Sequence, residues 1–275
     1  MKLILSRKGF DSSPAYGACA SPILPDGRMV SLPIPHASGT ITFSGLRHRG
    51  LEVGQLVSDL TRRPEIVATS AHLDPDLDPT ARERRRGWRP AFGQDSAAQR
   101  HLERQGVGVG DLFLFFGWFR DVEKVRERYR YRDGAPDLHV IFGWLRVGQV
   151  LRVGPDPVPD WLRDHPHALR DGAAFNTIYV ADGREAGGIF PRFGRALQLT
   201  SDEDRRRSIW QLPSDFHPAG RTPLTYHGKS SRWTAHADFC GLQSVAKGQE
   251  FVLDLTRYAG VRRWAEELVQ SEATQ

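Results

Sequence analysis

Cysteine is scarce: the 275 residues hold two, Cys19 and Cys240, far apart in the chain. Two isolated thiols make neither a disulfide framework nor a thiolate zinc site. A reduced, cytoplasmic setting is therefore the expectation. Long apolar runs are missing as well. The longest, Leu112 to Phe119, has the length of a strand, so no membrane span is expected, and no secretory leader is visible at the N-terminus. Nucleotide fingerprints are also lacking. Gln105 to Gly110 is glycine-rich, but it has no Lys-Ser/Thr after it and it leads into a strand, so it is not a phosphate loop. No cofactor can be named, and no metal is assigned. Internal repeats and low-complexity linkers are absent, which leaves one elaborated domain over residues 1–275.

What is present points to a packed core and an anionic partner. Hydrophobic residues make up 39% of the chain, and the formal net charge is +5. A basic balance suits a nucleotide or nucleic acid, although a solvated arginine-rich surface would give the same count. The chain opens with Leu3-Ile4-Leu5, a buried strand, and breaks at once into Arg7, Lys8, Gly9, Asp11, Ser12 and Ser13. A strand that ends in cations, a carboxylate and hydroxyls presents polar groups at a fixed place. On this reading Asp11 is a candidate acid or base. Arg7 and Lys8 would hold phosphate, and Ser12 and Ser13 would orient a ribose or base. Asp26, in the Pro25-Asp26-Gly27 turn, joins the substrate-binding set.

The second candidate is His72-Leu73-Asp74-Pro75-Asp76-Leu77-Asp78-Pro79. Its prolines make it a loop. His72 oriented by Asp74 could do acid–base work. The same His-x-Asp pair supplies two of the three ligands of an iron-binding facial triad, which needs a second histidine from elsewhere. The pair recurs at His236-Ala237-Asp238, so it arises easily, and a capped acidic turn explains it too. Trp88, beside the arginines of 82–89, could stack on a base. So could Trp233, next to Lys229 and Arg232, which could hold an anion. His165 and His167 flank Pro166 and read as exposed loop histidines.

Secondary structure follows from periodicity. Leu112 to Phe119, Leu138 to Leu145, Val147 to Val153 and Asn176 to Ala181 read as strands. The Arg–Tyr alternation of 128–132 reads as a half-exposed one. Helices are expected at roughly 50–60, 95–105, 202–210 and 259–270. The fold class is α+β, with a central twisted, mostly antiparallel sheet or a PUA-like barrel and flanking helices.

Several stretches together resemble the nucleotide modification associated domain 3 family. They are Ser6 to Ser13, Ser21-Pro22-Ile23, Pro25 to Arg28, Leu32 to Pro35, Ala71 to Leu77, Gly110 to Gly117 and Asn176 to Ala181. The resemblance implies a link to modification of bases in nucleotides or nucleic acid, and brings no assigned catalytic residue. The segment from Gly110 to about 160 is similar to PUA-like domains of the EVE and ASCH type, which implies a barrel-like core near 106–200 that receives a flipped base. Two functions follow. One is an enzyme, a transferase or hydrolase acting on a nucleotide or base through Asp11, His72 or Asp74. The other is a non-catalytic reader of a modified base.

Overall fold

A computed structural model describes residues 1–10, 16–37, 39–170, 172–204, 206–246 and 248–272. Its main element is a nine-stranded mixed sheet. Six strands lie side by side in the order Glu250–Asp254, Lys2–Arg7, Leu112–Val125, Leu138–Arg152, Thr177–Ala181 and Ala91–Gln94. Lys2–Arg7 runs parallel to Leu112–Val125, and the other neighbours in this order are antiparallel. Three short strands attach beside this path: Ser21–Ile23, Arg128–Tyr131 and Gly187–Ile189. The two stretches expected at 138–145 and 147–153 form one strand, with a register shift between Ile141 and Gly143.

The pattern of apolar residues explains the core. Leu3, Ile4 and Leu5 are fully buried because their strand is central and covered on both faces. Phe113 and Phe115, two residues apart, share one face. Their rings meet that of Phe92, on the opposite edge strand, at 5.2 and 5.1 Å. The sheet is therefore curled inward until its two edges approach. Gln94 Nε2 donates to Glu250 Oε1 at 2.7 Å across that seam. No ladder joins the two edge strands, so of the two expected forms the mostly antiparallel sheet is present and the closed barrel is not. On the other face, Phe116 packs against Trp210 and Phe251. Trp210 belongs to a three-stranded sheet of Ile209–Pro213, Phe239–Gln243 and Trp233–Ala235.

Three of the expected helices form: α1 (Val53–Thr61), α2 (Ser96–Arg104) and α3 (Ala259–Glu272). The fourth does not form among the described residues of 202–210. Asp204 accepts from the Arg206 backbone N–H at 2.8 Å and also binds its guanidinium, a local side-chain bond that competes with helix. Ser201 N–H donates to the Ile209 carbonyl and Gln211 N–H to the Leu199 carbonyl. α1 caps a second core built on Phe10, Phe43, Leu56, Val57 and Ile66. Beside it lies the antiparallel pair Ile34–His36 and Ser70–His72. Among the described residues no helix is long and apolar enough to cross a membrane.

Candidate functional site

The last residues of two sheet strands and the Ile34–His36/Ser70–His72 pair surround a cavity of about 290 Å³. Arg7 and Lys8 enter from the end of the first strand, Gln94 from the edge strand, and His36 and His72 from the short pair. Asp74, His167 and Arg170 complete the walls. Gly117 lets the first strand come this close: a Cβ there would stand 2.5 Å from the Lys8 carbonyl oxygen. Lys8 Nζ pairs with the buried Glu250 at 2.7 Å and lies over the Phe92 ring. Arg170 is paired with Asp95 and keeps a third of its side chain exposed.

Asp74 is the centre of the cluster. Its carboxylate is 5% exposed, and three histidines converge on it. Oδ1 accepts the Gly93 backbone N–H at 2.7 Å and has His165 Nε2 at 3.4 Å. Oδ2 faces His72 Nε2 at 3.9 Å and His167 Nε2 at 3.7 Å. The His36 ring centroid is 5.6 Å from that of His72. Burial alone would raise the Asp74 carboxyl, but His165, His167 and His72 outweigh it and hold it well below the usual carboxylate range. Burial pushes His72 down to about 3 against the opposing pull of Asp74. His167 is lowered for the same reason. At neutral pH Asp74 is thus a carboxylate facing the uncharged imidazoles of His72 and His167, which keep a lone pair for a proton or a cation.

His165 and His167 are not the exposed loop residues the sequence suggests; each is 3% exposed. After the short turn Asp160–Leu162, successive turn bonds fold 162–170 on itself (His165 N–H to Leu162, Ala168 N–H to His165, Arg170 N–H to His167), and His167 lies against Gly93 of the edge strand. Gly93 makes room, since the His167 ring occupies the space its side chain would take. Asn176 locks the arrangement. Its amide N–H₂ donates to the carbonyls of His167 and Arg170, which leaves Oδ1 to accept from His167 Nδ1 at 2.8 Å. That fixes the proton on Nδ1 and the lone pair on Nε2, toward Asp74. The donor atoms of His72, Asp74 and His167 all lie within 4.8 Å of one another, close enough to hold a metal ion.

A model of the nucleotide modification associated domain 3 family matches residues 2–254. The chain belongs to that family. Membership connects it with the modification of nucleotides, and the match includes every residue of the cavity. No curated protein and no solved structure is detectably similar to it.

Of the candidates read from the sequence, Arg7, Lys8, His72 and Asp74 come together in this cavity. Asp11, Ser12 and Ser13 lie outside the described residues. Asp26 sits in its turn, bonded to Arg28. Trp88 is buried, with Arg84 over its ring and its N–H directed at Asp76. Trp233 is buried, donating to the His227 carbonyl. Arg232 donates to the Gln243 carbonyl, and Lys229 is exposed; neither lines the cavity. Sequence reasoning missed His36, Gln94, His167, Arg170 and Asn176. The only local signal was the His-Pro-His spacing of 165–167.

Proposed function

We propose that the chain is an enzyme acting on a nucleotide, or on a base within nucleic acid, in the cavity around Asp74. One observation carries this reading: a buried carboxylate ringed by histidines opens onto walls that hold Arg7, Lys8 and Arg170. Guanidinium groups bind phosphate oxygens bidentately. Arg7 and Arg170 would anchor the phosphate, while Gln94 offers an amide to a sugar or base. His72 and Asp74 are then left beside the reacting atom, with lone pairs that take up a proton or hold a cation. A reader needs an aromatic platform rather than reactive groups. Trp88 and Trp233, the tryptophans nearest the basic runs, have their faces and N–H groups engaged inside the protein, which favours the catalytic reading.

The test is incubation with ribo- and deoxyribonucleotides and with short DNA, with products followed by mass spectrometry. The wild type should change the mass of one substrate class. Asp74→Asn should abolish that change while the ligand still raises the melting temperature. Arg170→Ala should weaken binding. Turnover by Asp74→Asn at the wild-type rate would overturn the proposal, as would ligand binding with no chemical change in any substrate.

A further inference from the structure

We propose that His72, Asp74 and His167 form the binding site of one divalent first-row transition metal ion. Two independent features of the cluster lead there. The first is the way the donors converge. His72 Nε2 and His167 Nε2 both point at the same oxygen, Asp74 Oδ2, from 3.9 and 3.7 Å. These separations are too long for hydrogen bonds. They are close to what a shared cation imposes. At a metal–ligand length of about 2.1 Å, neighbouring donors stand about 3.0 Å apart in an octahedron and about 3.4 Å apart in a tetrahedron. Small side-chain rotations close the difference.

The second feature is the support behind each donor. Gly93 N–H holds Asp74 Oδ1 and leaves Oδ2 free to ligate. Asn176 orients the His167 ring and fixes its tautomer, the usual outer arrangement of a metal-binding histidine. His72 is anchored by the pairing of its strand, opposite Ile34.

The donor set selects the ion. Two imidazoles and one carboxylate suit iron, zinc, cobalt or manganese, whereas magnesium and calcium prefer oxygen donors. All three ligands line the same cavity as Arg7 and Arg170, so positions they leave open on the ion would face it. This is the open geometry of catalytic rather than structural sites. A substrate oxygen or water can then bind the metal while the arginines hold phosphate. That last point rests on the enzyme reading; binding of the ion does not, and it is measured without turnover.

The experiment is titration of chelator-treated protein with cobalt(II), followed by visible absorption, and with zinc(II) and manganese(II) by calorimetry. Magnesium(II) is the control ion. One equivalent of each transition ion should bind. His72→Ala and His167→Ala should each cost at least tenfold in affinity, and Asn176→Ala about 10- to 100-fold, as a residue that only orients a ligand does. His236→Ala, on the exposed second His-x-Asp pair, should bind as the wild type does. X-ray absorption of the loaded wild-type protein needs no variant and should show two imidazoles and oxygen. Failure to bind any of the three ions, wild-type affinity in a folded His72→Ala or His167→Ala, or a first shell without two imidazoles would overturn the proposal. Metal binding with no reaction on any nucleotide would leave it standing and sink the enzyme reading instead.

Discussion

Gly93→Ala adds one methyl group to a strand interior, and the structure makes it a severe change. Gly93 pairs with Ile178 in the sheet, and its backbone is one that alanine adopts freely. A Cβ there would lie 2.8 Å from His167 Cβ and closer still to the ring atoms Cγ and Cδ2. Carbon atoms pack at about 3.5–4.0 Å, so His167 must retreat by at least about 0.7 Å, and its ring by more. Retreat breaks the bond to Asn176 Oδ1, worth about 1 kcal/mol, and overpacking adds about 1–3 kcal/mol. The expected loss of stability is therefore about 2–4 kcal/mol. If His167 is a ligand, metal affinity falls by more than about tenfold in the same variant, since misorienting a ligand alone costs that much. Gly188→Ala is the matched control: it lies in a short strand of the same sheet, with nothing near the added atom. Urea unfolding of the chelated proteins gives the first number and cobalt titration the second. Should Gly93→Ala match Gly188→Ala in both, the packing argument is wrong. If it loses stability but keeps its affinity, His167 is not a ligand.

Two further outcomes follow from groups away from the cavity. His139 is buried, accepts from Trp210 Nε1 at 3.0 Å, and is pushed down to about 3 by burial, with Arg207 and Arg7 adding to it. Its folded value lies below the unfolded one, near 6.5, so the native state binds fewer protons. The stability it supports is complete above about pH 6.5 and drains away as the pH falls from there toward 3. By pH 5 the loss should be about 2 kcal/mol; His139→Asn should shrink the pH 7 to pH 5 difference by that amount, and an unchanged difference speaks against the assignment. Asp76 and Arg84 form a bidentate ion pair with both side chains 8% exposed. Asp76→Ala leaves a buried guanidinium unpaired and should cost about 3 kcal/mol, the low end of the range because Arg84 keeps the Asp78 carbonyl. A urea midpoint within error of the wild type would contradict it.

Much of the architecture is legible along the chain. Leu3 to Leu5, Leu112 to Phe119 and Thr177 to Ala181 are continuous apolar runs, and such runs have few places to go other than the middle of a sheet. Half of the cavity is legible too, because Arg7 and Lys8 close a buried strand and His72 and Asp74 sit two apart. The other half depends on contacts that local pattern does not encode. His167 reaches Asp74 only because Gly93 has no side chain and because Asn176 grips the loop from behind. Trp88 misleads for a related reason. Its arginine neighbours look like a phosphate-binding surface until Asp76, twelve residues earlier, is seen to claim both Arg84 and the indole. The approach of the two sheet edges is also a long-range matter: a Gln94–Glu250 hydrogen bond spans a seam that hydrophobic periodicity cannot foresee.

The central claim is that the histidine–carboxylate cluster and the cationic walls form one site, with metal and nucleotide bound side by side. The most direct test is the phosphorus NMR spectrum of a nucleotide with the manganese(II)-loaded protein, compared with the zinc(II)-loaded form. The account predicts strong paramagnetic broadening of the phosphate resonances, lost in His167→Ala while nucleotide is still bound. A nucleotide that binds tightly to the loaded protein with its phosphorus lines unbroadened would place the two ligands apart and contradict it.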